Sequence, residues 1–145
     1  AELAIVLVAA GKYDEALPLF DGALGTDPEN DRALSGKGLV ALGRGDFGAA
    51  IEYFIRALDA HIDNPSIAMR LMDCAQALDN PRVAIGPVRR FVEHFPGNVE
   101  VGCRYAELLL AAGETGESRE RIDTLRLLAP GHEKVRALAA KLDTA

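Results

Sequence analysis

The residues able to do chemistry are few: His61, His94, His132, Cys74 and Cys103. A closed structural zinc site takes four ligands, and two cysteines with three scattered histidines cannot supply one unaided. The only close glycine pair around a lysine, Gly36-Lys37-Gly38, follows no strand, so it does not cradle phosphate as a nucleotide loop does. No nucleophile elbow and no paired catalytic carboxylates can be placed. The expectation is therefore a chain that is not an enzyme, with no catalytic residues, no metal and no cofactor.

Composition narrows the field further. The 145 residues are 49% hydrophobic and 26% charged, as in a packed globular chain rather than a disordered tail. A net charge of −6 argues against a general grip on nucleic acid. The longest apolar run, Leu3 to Ala10, falls well short of the ~20 residues of a membrane span.

What must position any functional residue is a repeat. Gly11–Leu17 (Gly-Lys-Tyr-Asp-Glu-Ala-Leu) has a cousin 34 residues on at Gly45–Ile51, and the same step reaches Asp79–Ile85 and Gly113–Arg119. Ala16, Ala50, Ala84 and Ser118 then coincide, all small, followed four residues later by Phe20, Phe54, Val88 and Ile122. Pro28, Ile62, Pro96 and Pro130 close the units. No insertion is needed.

Each unit reads as two helices. Leu34, Gly38, Leu39, Ala41 and Leu42 recur at helical spacing, and Gly43 to Gly45 break the pattern. Asp46 is placed to cap a second helix from Phe47 to Ala60, where Phe47, Ala50, Ile51, Phe54, Ala57 and Leu58 form the apolar stripe. Asn80-Pro81 reads as a cap followed by proline at the first helical position. The small row lets paired helices approach. One pair cannot bury its own apolar face, so neighbours must stack. Glu133 to Asp143 carries the stripe Val135, Leu138, Ala139 and Leu142 against polar Glu133, Lys134, Arg136, Lys141 and Asp143, the pattern of a sealing helix.

This pattern resembles the tetratricopeptide repeat family, 34-residue helix–turn–helix units. Its opening motif is loosely kept as Leu34, Lys37, Gly38 and Ala41. Its small–large–small core is kept as Ala16, Phe20, Ala23 and again as Ala50, Phe54, Ala57. The resemblance implies an all-α fold, a right-handed α-solenoid of stacked antiparallel helix pairs. It would form a single domain over 1–145, with repeats at about 1–30, 31–64, 65–98 and 99–132 and a capping helix at 133–145. Departures are Lys37 in place of leucine, and Phe91 and Leu125 in place of small residues. Pro18 and Pro87 should kink or shorten their helices. The first unit lacks its opening four residues and the chain has no initiator Met, which looks like a piece of a longer chain or a processed protein.

By the family's geometry the concave groove is lined by the exposed side of each first helix. Here that means Ile5 and Val8, then Arg32, Ser35, Leu39 and Leu42, then Met69, Arg70, Asp73 and Gln76, then Cys103, Arg104, Glu107 and Leu110. In one reading Leu39 and Leu42 seat apolar side chains of a partner while Arg70 and Arg104 hold its carboxylates. In the other, Ile5, Val8 and Leu39 are covered by further chain or a second copy, and Arg70–Asp73 and Arg104–Glu107 pair among themselves. The family's carboxylate clamp is absent, since its Lys and Asn positions fall on Ala1, Ile5 and Gly36.

Charge is uneven: residues 1–30 carry one basic and six acidic side chains, residues 65–98 four basic and three acidic. A partner lying along the array would meet an acidic start. The histidines fall near the ends of second helices, about 10 Å apart by helix packing, too far to share a metal and suited to a cationic helix-end role. Cys74 and Cys103 are poorly placed for a disulfide and read as buried or groove thiols.

The function these observations imply is a protein–protein interaction module, a bacterial-type adaptor or scaffold that binds a peptide or partner protein in its groove. One alternative is the non-catalytic arm of a larger glycosyl-, sulfo- or methyltransferase. Another is a self-assembling scaffold, a homo-oligomer joined through the N-terminal apolar groove. No nucleic-acid partner and no membrane insertion are expected. Free cysteines point to the cytoplasm, with the periplasm as the alternative.

Overall fold

The computed structural model describes residues 2–144; the expected outer limits of the array at Ala1 and Ala145 lie outside the described residues. Nine helices and no strand occur among the described residues: α1 (Glu2–Ala9), α2 (Tyr13–Thr26), α3 (Asp31–Gly43), α4 (Phe47–Ala60), α5 (Pro65–Ala77), α6 (Arg82–His94), α7 (Val99–Ala111), α8 (Thr115–Leu128) and α9 (Glu133–Asp143). None is long and apolar enough to cross a membrane. Each helix packs on the next in sequence. First helices also pack on first helices, α1 on α3, α5 on α7 and α7 on α9, while among second helices only α4 and α6 come comparably close. Helices α3 and α5 are the exception among first helices: α4 lies between them and no comparable direct packing joins them.

The turns within pairs repeat one geometry. Gly11, Gly45 and Gly113 hold φ of 75°, 76° and 81°, and the following residues Lys12, Asp46 and Glu114 donate to carbonyls five positions back, Leu7, Ala41 and Leu109. This is a Schellman-type ending, which needs a left-handed residue. The third turn keeps the same bond, Asn80 to Ala75 at 2.9 Å, but Asp79 takes the left-handed position with φ 52°.

The links between pairs use a different device. The side-chain oxygens of Asn30, Asn64 and Asn98 accept the amides of Ala33, Ile67 and Val101 at 3.0, 3.3 and 3.0 Å. These caps lie one period apart, a polar row outside the apolar pattern of the repeat. Its fourth member is His132, which accepts the Lys134 amide at 3.2 Å and so begins α9 instead of ending a helix. An imidazole nitrogen accepting an amide bond is the reverse of the cationic helix-end role expected for it. Asp46 caps α4 as expected, accepting from Ala49 at 3.1 Å. At α6 the expected Asn80 side-chain cap is not made. Pro81 is already helical in backbone, and the Asn80 carbonyl accepts from Val83 at 3.4 Å.

Three apolar clusters form the interior. One joins α1, α2 and one side of α3 through Ala4, Ala16, Phe20, Ala33 and Val40. The largest runs from the other side of α3 to α7, through Phe54, Leu71, Met72, Phe91, Tyr105 and Leu109. The third seals the end with Ala106, Ile122, Leu125, Val135, Leu138 and Leu142. Helix α3 separates the first two by thinness. A Cβ on Gly36 would sit 2.3 Å from the Phe20 ring, and one on Gly38 would sit 2.6 Å from the Phe54 ring, so both rings lie directly on its backbone. The large Leu125 is accommodated by Gly102 opposite it, where a Cβ would approach to 3.0 Å.

Pro18 and Pro87 do not shorten their helices: α2 and α6 run on through them for 14 and 13 residues in all. Each proline occupies the sixth position, so the one carbonyl left unpaired lies in the first turn, near solvent. The shortening expected from sequence does not occur.

Candidate partner-binding groove

The inner side of the stack is built from one exposed stripe of each first helix. Ile5 and Val8 are half-buried against the α1–α2 cluster. Leu39, Leu42 and Met69 are half-buried on the main core. Their outer edges remain accessible, so α3 and the start of α5 offer an apolar floor. Arg32 and Arg70 stand exposed beside it, and the Ser35 hydroxyl turns back onto the Arg32 carbonyl at 3.1 Å. Leu110 is half-buried at the far end against the third cluster.

The two groove arginines behave differently, although they are register equivalents one period apart. Arg104 on α7 reaches back across to α5 and donates to Asp73 and Gln76, both at 2.7 Å, with Glu107 at 3.9 Å. It is 21% exposed and already occupied. The residues one period before Asp73 and Gln76 are Leu39 and Leu42, so α3 offers Arg70 no such acceptors, although Asp73 and Glu100 line the same recess as Arg70. Among the described residues Arg70 makes no ion pair, including none with Asp73 three positions on. The sequence reading had both arginines free or each paired within its own helix. The expected Arg104–Glu107 pair is present at 3.9 Å, with shorter bonds across to α5 added to it, whereas the expected Arg70–Asp73 pair is not made.

Two recesses flank this network. One of about 480 Å³ lies between the starts of α5 and α7 and is lined by Ser66, Met69, Arg70, Asp73, Glu100 and Val101. A smaller one of 180 Å³ lies toward their ends and is lined by Gln76, Asp79, Arg104, Glu107 and Leu108. The groove residues are thus apolar toward α3 and mixed in charge from Arg70 onward, where Asp73 and Glu100 share its recess.

Cys103 does not face this groove. It is 1% exposed and packs into the cluster under α8 and α9. Cys74 is likewise buried, and burial pushes both thiols up, away from the reactive thiolate. The two are free.

On the outer side, the Tyr105 phenol donates to the Glu117 carboxylate, which Arg89 grips at 3.0 and 2.5 Å. The Arg89 guanidinium holds the Glu117 carboxyl below the usual range, while burial raises the Tyr105 phenol. Lys37, the departure from the family's leucine, is held by Asp21 at 2.6 Å and lies over the Tyr53 ring. Both clusters are half-buried joints between helices.

Models of the tetratricopeptide repeat match residues 2–65 and residues 89–142. The solved structure of YrrB, described as a tetratricopeptide repeat protein with an unusual peptide-binding site, superposes with a TM-score of 0.73 at 23% identity, over 99% of this chain and 74% of that one. MamA superposes at 0.68 and 16% identity, over 97% and 86%. The second tetratricopeptide domain of human RPAP3, solved with an HSP70 peptide, superposes at 0.60 and 16% identity, over 76% and 92%. In sequence, the chain is 28% identical over 122 residues to the CTR9 homolog of Arabidopsis thaliana, spanning 11% of that protein's length.

Proposed function

Because this chain belongs to the tetratricopeptide repeat family, we propose that it is an interaction module whose partner lies across α3 and α5. The partner places an apolar side chain on Leu39 and Leu42 and a carboxylate on Arg70. The observation that carries this reading is the contrast between two equivalent arginines. Arg104 is consumed by Asp73 and Gln76, whereas Arg70 has leucines in place of those acceptors and stands exposed. A guanidinium beside an apolar floor suits a segment alternating acidic and aliphatic residues. Arg32 extends the cationic side, while Ile5, Val8, Ser35 and Met69 extend the floor; Asp73, Gln76, Arg104 and Glu107 set its far wall.

The test is binding to an array of short peptides that alternate Asp or Glu with Leu, against the same peptides carrying Lys. Wild type is expected to retain the acidic set, and Arg70→Glu to lose it without loss of helicity. Equal retention of both sets, or binding unchanged in Arg70→Glu and in Leu39→Asp, rejects the site.

A second reading, the non-catalytic arm of a larger protein, draws on the relative in which the matched stretch is 11% of the whole. The complete gene sequence decides it.

A further inference from the structure

The 180 Å³ recess toward the ends of α5 and α7 combines an apolar wall with carboxylates that the chain neutralises only in part. Pro81, Leu108 and Ala111 form the wall, beside Gln76, Asp79, Arg104 and Glu107. Sites for drug-sized ligands begin at about 300 Å³, so this one is of a size for a single long side chain.

Its charge depends on how Arg104 is used. The guanidinium donates to Asp73 and Gln76 at 2.7 Å and stands 3.9 Å from Glu107. One cation therefore serves two carboxylates and an amide. Asp79 is exposed and makes no ion pair among the described residues. With Asp73, Asp79 and Glu107 set against Arg104, the surroundings of the recess stay net negative.

The helix ends add to that charge. Helix α5 closes at Ala77 and α7 at Ala111, neither with a basic residue in its last turn. A helix C-terminus is partially negative and favours cations. The fold already supplies one of them: Arg82 of α6 donates to the Ala112 carbonyl, just past α7, at 2.8 Å. One period earlier the same two places hold Gly48 and Leu78, so α5 receives no such cation.

We propose, resting on the groove reading above, that this recess takes a lysine side chain of the same partner. The stem lies along Leu108, Ala111 and Pro81, and the ammonium is set between Asp79 and Glu107. No three metal-ligating side chains gather among the described residues, so the fit is to an organic cation and not to a metal ion. Arg104 lies between this recess and the larger one at Arg70, and a partner running along α5 and α7 passes from one to the other. The partner thus adds a basic residue to the acidic and aliphatic ones received at Arg70, Leu39 and Leu42.

The test titrates the acidic and aliphatic parent peptide into the full chain, beside versions extended by lysine or by norleucine at successive positions on either side. At one position or more, lysine should bind about tenfold more tightly than norleucine. Asp79→Asn should remove that gain and leave the parent's affinity as in wild type; asparagine tolerates the positive φ, so the turn is kept. Glu107→Gln should remove the gain as well. If the parent binds and lysine adds nothing at any position, or the gain survives in either variant, the lysine recess is rejected and the groove reading stands. If only the lysine peptide binds, and does so through Asp79 and Glu107, the recess stands and the role given to Arg70 is rejected. If no peptide binds, both are rejected.

Discussion

The guanidinium of Arg89 binds both carboxylate oxygens of Glu117, 28 positions further along the chain. Through them it orients the phenol of the buried Tyr105. The same joint one unit earlier is apolar, with Ile55, Leu71 and Val83 in the equivalent places. One unit earlier again it is the ion pair of Asp21 and Lys37. Three chemistries fill one geometric slot. Swapping units would set Arg89 or Lys37 against an apolar neighbour and leave it without its carboxylate.

Glu117 makes this joint sensitive to acid. Its carboxyl titrates lower in the folded chain than in the unfolded one, so its contribution is present above about pH 4.3 and is lost as pH falls through the folded value. Glu117→Gln is expected to flatten the acid limb of the stability curve, measured by thermal melts at stepped pH. An unchanged limb would locate the acid response elsewhere. Glu117→Ala also strands the Tyr105 hydroxyl and should cost about 1–3 kcal/mol at neutral pH.

Helix α3 tolerates no side chain where the two phenylalanine rings rest on it. Gly36→Ala places a methyl 2.3 Å from the fully packed Phe20 ring, and Gly38→Ala meets Phe54 in the same way. Each is expected to lower stability by about 1–3 kcal/mol through overpacking, read from urea unfolding. Gly22→Ala has open space around its new methyl and serves as the control.

Asp79 occupies the left-handed position that glycine takes in the other three turns. Asp79→Gly should raise stability by about 1 kcal/mol or less, the relief of a strained backbone partly offset by a freer unfolded chain. Gly113→Ala, the opposite exchange at the equivalent turn, should lower it. Calorimetric melts of the pair check both signs.

The two groove arginines should separate by phenotype. Arg104→Ala removes a tie between α5 and α7 and should cost up to about 1 kcal/mol, since the partner Asp73 is largely exposed. Arg70→Ala should leave stability within about 0.5 kcal/mol while weakening acidic-peptide binding. If Arg70→Ala proved the more destabilising, the assignment of free and occupied cations would be reversed.

The helix pairs, the small row from Ala16 to Ser118 and the sealing segment could be read from the chain alone. A strict 34-residue period with helical spacing leaves one economical way to bury its apolar stripes. The Asn30, Asn64 and Asn98 caps share the same period but lie outside the apolar pattern that defines the helix faces. Sequence could not say that Arg104 is taken and Arg70 is not, because their neighbours in the chain look alike. The difference lies on the first helix of the preceding pair, in Leu39 and Leu42 against Asp73 and Gln76. Nor could it show that Pro18 and Pro87 leave their helices whole, or that Cys103 turns inward. Periodicity determines which face of a helix is apolar, because that follows from a local geometry shared by every turn. Which polar groups meet across helices depends on how the stacked pairs are offset, and that only the packed structure decides.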